Sequence, residues 1–288
     1  MGLRDKVRSL LPWAGAGHGR PIAEGRMLDV PSGENFRELG GYDTPDGKTA
    51  YRRLVRAGST SSLSEADLRR LEDYGVRLVI DLRSEFEAPR LSDRFARRRG
   101  VSWVNVPLFD YNLSDPRLAA TRVPEGNYLI DGYVTMLSNR QAIRDVFESL
   151  AQTPVGSAAL FHCAAGMDRT GMTAMLLLGL AGVSREQIVA DYLYSFAPVA
   201  DVDRMVFGGE RVRLRPGRWN PLPARREAVE FMLDRVQEGY GSTRAYLAAC
   251  GLTDACLDAV RGMLLGHTER EVGSPTDERP GAMAAQDG

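Results

Sequence analysis

Apolar and polar positions along the chain sort into two patterns, short unbroken apolar runs and longer stretches of helical period. VRLVIDL (76–82) and AALFHC (158–163) are continuous apolar runs, the mark of strands buried on both faces of a parallel sheet. Shorter strands are expected near 34–42 and 51–57, separated by a turn carrying Pro45, Asp46 and Gly47, and a further strand at 101–107. The stretch 62–75 reads as a helix. Ser64 can cap it, Glu65 and Asp67 fill its first turn, Leu68 and Leu71 share a face, and Gly75 stands where it should end. A charged helical stretch is expected over about 84–99, a polar loop over 108–126 and a long helix over about 127–152. TGMTAMLLLGLAG (170–182) predicts a buried helix ending at Gly182. Ser184 and Gln187 have capping-box spacing for the next helix, and helices near 222–238, 242–250 and 253–265 close the chain. Strands separated by helices predict an α/β fold, with a mostly parallel central sheet flanked by helices.

The two ends break the pattern. Residues 1–26 form an N-terminal extension, Gly-rich from 14 onward, and 268–288 has no periodicity and reads as a disordered tail; 27–267 is expected to be one folded domain. Leu3, Val7, Leu10 and Leu11 share a helical face beside Arg4, Lys6 and Arg8, which suits a membrane-surface anchor. A short packed helix or a frayed end is favoured, because Pro12 stops the segment early. There is no apolar run of roughly 20 residues to span a membrane and no secretory signal pattern, so a cytoplasmic location is expected, with signal-less export as the alternative. Basic and acidic side chains nearly cancel, 37 against 38, which speaks against a nucleic-acid binder. His18, His162 and His267 have no metal-ligand spacing, and Cys163, Cys250 and Cys256 are too few and odd in number for a disulfide framework. Neither a metal nor a cofactor is expected.

The candidate chemistry lies in FHCAAGMDRTG (161–171), where Cys163 and Arg169 are separated by five residues between a predicted strand and a predicted helix. Backbone N–H groups of such a loop converge at the helix N-terminus and suit a tetrahedral dianion. Ala164, Ala165, Gly166, Met167, Asp168, Arg169 and Thr170 would line it, and the Arg169 guanidinium would add a planar fork to the phosphoryl oxygens. Donors that hold phosphate also favour a thiolate, so Cys163 is the candidate nucleophile. The Thr170 hydroxyl could bond that sulfur, and His162 would orient the loop rather than act as a base. Gly166 and Gly171 permit the tight backbone and the close approach of the helix. Taken alone, the Cys–Arg spacing is weak in an Arg-rich chain, and most free cysteines are inert; the strand–loop–helix context carries the reading. Asp168, Asp81 at the end of its strand, and then Asp110 and Asp115 are candidate general acids, in that order. Asp168 has a structural alternative, tying the loop to an arginine. Arg83 and Glu85 are expected to support the site through ion pairs. The region 196–222, with Arg204, Arg211, Arg213, Arg215 and Arg218, reads equally as a substrate-steering rim or a solvated loop.

HCAAGMDRTG closely resembles the phosphate loop of the Cys-dependent protein tyrosine phosphatases, and its Asp-Arg-Thr-Gly ending looks like their bacterial atypical branch. NFRELGGYDTPDGKTAYRRLVRAGS (35–59) and VIDLRSEFE (79–87) resemble two further blocks of that branch, in the same order. The resemblance implies a dual-specificity-like phosphatase fold, a phosphocysteine intermediate and no metal. It implies a protein-tyrosine-phosphatase acting on phosphotyrosine proteins, with phosphoserine/threonine or phosphoinositides as further substrates. Members of the branch commonly carry Lys where this chain has Met167. The missing ammonium weighs against strong phosphoinositide activity and leaves the roles of Cys163 and Arg169 untouched. A sulfurtransferase usually lacks the trailing Arg-Thr-Gly, and the intact Cys163–Arg169 pair argues against a non-catalytic phosphate binder.

Overall fold

The structure, a computed structural model, describes residues 25–89, 92–109, 128–196, 204–207, 210–213 and 222–266. Strands are β1 (Arg37–Glu38), β2 (Asp43–Thr44), β3 (Gly47–Lys48), β4 (Leu54–Ala57), β5 (Val76–Asp81), β6 (Ser102–Asn105), β7 (Ala158–His162), β8 (Arg204–Phe207) and β9 (Glu210–Arg213). Helices are α1 (Glu65–Tyr74), α2 (Tyr128–Ser138), α3 (Arg140–Ala151), α4 (Asp168–Ala181), α5 (Arg185–Tyr194), α6 (Leu222–Tyr240), α7 (Thr243–Ala249) and α8 (Asp254–Leu265).

The main sheet has the order β1-β4-β7-β5-β6; β1 runs antiparallel to β4 and the other pairings are parallel. β7 is central, and its side chains alternate between two apolar clusters. Ala158 and Leu160 join one cluster with Leu68 and Leu71 of α1, while Ala159 and Phe161 join the larger one with α2 through α8. His162 is level with Ala57 of β4 and Asp81 of β5. The chain therefore leaves three adjacent parallel strands side by side, at the edge where open α/β sheets place their ligand crevice. α4 follows β7 directly, and nearly all its residues are buried, so the loop between them is anchored at both ends in the core.

Local signals are met where they depend on neighbouring residues. The Ser64 hydroxyl accepts from the Asp67 amide at 3.1 Å, Gly75 ends α1 at φ 111°, and Gly182 ends α4 at φ 83°. Two expectations are corrected. The expected helix over 127–152 is two helices, because the Asn139 side chain accepts from the Ala142 amide at 3.3 Å and starts α3 afresh. The charged stretch 84–99 forms turns rather than a helix in its described part. Its acids are drawn elsewhere: Glu87 accepts from the Ser84 amide at 3.1 Å, and Asp93 from the Phe95 amide at 2.7 Å. The β8–β9 hairpin was not foreseen. Residues 1–24, 110–127 and 267–288 lie outside the described residues, as do most of 196–222. The readings of the extension, the tail, the rim, Asp110 and Asp115 fall there. Among the described residues no helix is long and apolar enough to cross a membrane.

Candidate active site

The loop between β7 and α4 is built by turning its carbonyl groups outward. The Cys163 carbonyl accepts from His162 Nδ1 at 3.0 Å, and the Ala164 carbonyl from the Ser59 amide at 3.0 Å. Asn35 Nδ2 reaches the Ala165 carbonyl at 3.2 Å and the Gly166 carbonyl at 2.8 Å, and Arg56 Nη2 also reaches the Gly166 carbonyl, at 3.0 Å. In a trans peptide the N–H points opposite to the C=O. The Ala164, Ala165, Gly166 and Met167 amides are thereby turned to the other side of the loop. None of the four donates to a protein acceptor among the described residues. Gly166 permits this path: its φ is 70°, and a Cβ there would stand 2.5 Å from the Ala57 carbonyl oxygen.

Cys163 lies at the base of this turn and is buried, as is Arg169 in the first turn of α4. Arg169 grips Glu87 with both ends of its guanidinium, Nη1 on Oε2 and Nη2 on Oε1 at 3.0 Å. Burial would lower its pKa, but Glu87 and the nearby Cys163 sulfur raise it, so Arg169 keeps its charge. Burial likewise works to raise the Glu87 carboxyl, and the Arg169 contact overrides it and holds it low. Ser84 fixes the same carboxylate through its amide and through its hydroxyl at 3.0 Å. The expected support from Glu85 is thus corrected. Glu85 is exposed, and the supporting acid is Glu87, two residues on. The Ser84-x-x-Glu87 spacing was the available signal, since it has the form of a capping box.

Behind Cys163, His162 is fully buried and donates from both ring nitrogens, to the Cys163 carbonyl and to Asp93 at 2.7 Å, as only an imidazolium can. Burial would lower its pKa, but Asp81 and Asp93 raise it. Asp93 is held at about 2, the His162 hydrogen bond and charge outweighing desolvation. Asp81, Asp93 and His162 lie within metal-ligand range of one another. Their donors are otherwise engaged, since Arg83 forks onto Asp81 with Nε at 2.9 Å from Oδ1 and Nη2 at 2.7 Å from Oδ2. Asp168 is buried and takes both Arg225 of α6 and the Tyr133 hydroxyl on Oδ1; Tyr192 bonds Tyr133 in turn. Thr170 is buried, and its hydroxyl has no hydrogen-bond partner among the described residues, so the expected bond to the sulfur is not formed here. The Met167 side chain packs in the larger apolar cluster.

A cysteine in an amide-lined loop between the central parallel strand and a buried helix, with a carboxylate-steadied arginine beside it, is the arrangement expected from the resemblance to the Cys-dependent phosphatases. A family model described as "Tyrosine phosphatase family" matches residues 28–266, and the chain belongs to that family. It is similar to a candidate tyrosine-protein phosphatase of Cupriavidus necator, 31% identical over 74% of this chain and 80% of the relative. The triple specificity protein phosphatase PtpB of Mycobacterium tuberculosis is 29% identical over 83% of this chain and 99% of its own length. A tyrosine-protein phosphatase of Nostoc commune is 37% identical over 49% of this chain and 48% of its own. The chain is an enzyme of the protein-tyrosine-phosphatase class.

The His162–Asp93 pair sets a pH dependence of stability. A raised His contributes fully below its unfolded value of about 6.5 and loses the contribution as pH rises through its folded value. A depressed Asp contributes fully above about 3.9 and loses it as pH falls toward its folded value. Asp93→Asn should therefore cost most between about pH 4 and 6.5, on the order of 3–5 kcal/mol. Urea denaturation across pH measures it; a cost independent of pH would contradict the charged pair.

Proposed function

We propose that this enzyme hydrolyses phosphotyrosine esters of proteins in two steps at Cys163. The thiolate attacks phosphorus in line while the P–O bond to tyrosine breaks. Arg169 and the Ala164–Met167 amides hold the equatorial oxygens, as electrostatic stabilisation of the transition state requires. Asp168 gives its proton to the departing phenoxide. Water then attacks the phosphocysteine, Asp168 takes the proton of that water, the S–P bond breaks, and phosphate leaves with the thiolate restored.

The observation that carries this reading is the outward locking of four consecutive carbonyls, which leaves four amides without protein acceptors around one cysteine. Asp168 is favoured as the acid by its place, adjacent to Arg169 at the head of α4. Asp168 also ties α4 to Arg225 of α6, the structural alternative expected of it, and the leaving-group comparison below separates the two roles. Asp81, with both oxygens on Arg83, is assigned to holding that arginine instead. Phosphotyrosine is favoured over phosphoinositides because position 167 carries a thioether packed in the core, not an ammonium. The broad specificity named for the mycobacterial relative makes phosphoserine, phosphothreonine and phosphoinositides the comparison substrates.

Cys163→Ser should abolish turnover of a phosphotyrosine peptide while leaving its binding measurable by calorimetry; retained turnover would refute the nucleophile. Asp168→Asn should lower kcat by roughly 10²–10⁴ on phenyl phosphate and far less on an aryl phosphate with an acidic leaving group. Equal losses on the two esters would remove Asp168 from the acid role. Met167→Lys should raise phosphoinositide turnover relative to phosphotyrosine, and an unchanged ratio in a side-by-side assay would count against the specificity reading.

A further inference from the structure

Two side chains behind the loop stand apart from the groups assigned to touch phosphate. Asn35 has a φ of 60°, a left-handed conformation that few non-glycine residues adopt and that asparagine tolerates better than most. In that pose its amide nitrogen spans the Ala165 and Gly166 carbonyls, and its Oδ1 accepts from Arg37. Arg56, fully buried in β4, divides its guanidinium between the Gly166 carbonyl and the Asp191 carboxylate of α5. Asp191 is buried and also takes Arg37 Nε at 3.0 Å and the Tyr42 hydroxyl at 2.9 Å. Burial would raise its carboxyl, but Arg37 and Arg56 hold it at about 2. Ser195 completes the brace, accepting from Arg37 at 2.7 Å and Arg56 at 3.1 Å. The Gly171 backbone lets Tyr192 and Arg56 pack this closely against α4; a Cβ there would meet the Tyr192 ring at 2.9 Å.

We infer that Asn35 and Arg56, braced by Asp191, are positioning residues for phosphoryl transfer. They lock the peptides 165–166 and 166–167 with carbonyls outward, so that the Gly166 and Met167 amides stay aimed at the phosphoryl oxygens. Without them, these two peptides have no partner on their carbonyl side among the described residues, and either could rotate its carbonyl toward the anion. A donor would then become an acceptor facing negative charge. Because two guanidiniums share one carboxylate, the brace also places an excess positive charge behind the loop. The inference rests on the two-step reading above.

Asn35→Gly is the least disruptive test, since glycine accepts the left-handed φ and only the amide is lost. Arg56→Lys is the second; it keeps a cation beside Asp191 but cannot serve both acceptors. Thermal melting establishes that each variant is folded, and steady-state hydrolysis of an aryl phosphate is measured with inorganic phosphate as inhibitor. Removing a single oxyanion donor costs about 10²–10³ in rate, so Asn35→Gly, which loosens both peptides, and Arg56→Lys, which loosens the 166–167 peptide, should each lower kcat by at least about tenfold. Inhibition by inorganic phosphate should weaken in parallel, which a merely structural tie would not cause in a folded protein. If the wild type turns over and either folded variant keeps kcat and phosphate inhibition within about twofold of it, the positioning role is overturned alone. Should Asn35→Gly fail to fold, Arg56→Lys decides. A wild type with neither turnover nor phosphate inhibition overturns the two-step reading, and this inference with it.

Discussion

A trans peptide cannot turn its carbonyl outward without turning its amide inward, and this constraint organises the region around Cys163. Four successive carbonyls are each given a donor behind the loop: the His162 ring, the Ser59 amide, the Asn35 amide group and the Arg56 guanidinium. The register of β4, β5 and β7 makes this possible, because it brings Gly58–Ser59, Leu82–Arg83 and Cys163–Ala164 out of the sheet at one level. The fold thus supplies the donors from other strands, leaving the loop's own donors for a ligand.

The donors must themselves be held, and that explains an unusual interior. Arg37, Arg56, Arg83, Arg169 and Arg225 are all fully buried, where an unpaired guanidinium would be strongly destabilising. Asp191 answers Arg37 and Arg56, Asp81 answers Arg83, Glu87 answers Arg169, and Asp168 answers Arg225, while Asp93 answers the His162 imidazolium. One cation more than anion results among these groups. The unmatched cation belongs to Arg37 and Arg56 on Asp191, behind the loop, and favours a phosphoryl group there. Buried ion pairs contribute little net stability compared with apolar packing, so this arrangement is better understood as fixing geometry and charge for the reaction.

Much of this was legible in the sequence where the signal is local. Cys163, Arg169 and Gly166 fall between an apolar run and a buried helix, and Ser64, Gly75 and Gly182 mark helix ends through their own backbone preferences. What was not legible depends on partners far along the chain. Glu87 meets Arg169, Arg225 meets Asp168, and Asn35 meets Gly166 only once the sheet order is known, and no periodicity encodes that order. The expected helix over 84–99 failed for the same reason. Its acids satisfy nearby amides and distant cations rather than each other's helical neighbours, and tertiary contacts override intrinsic propensity. Asn139 is the opposite case, a local capping signal overlooked within a long apolar pattern.

The central claim is that Cys163 carries the phosphoryl group between two chemical steps. Mixing the wild-type enzyme with an aryl phosphate, quenching in acid within the first turnovers and mapping the digest by tandem mass spectrometry tests it directly. Phosphate on the sulfur of the peptide containing Cys163 is the predicted result. Turnover without any phosphorylated peptide, or with phosphate on another side chain such as His162, would contradict it.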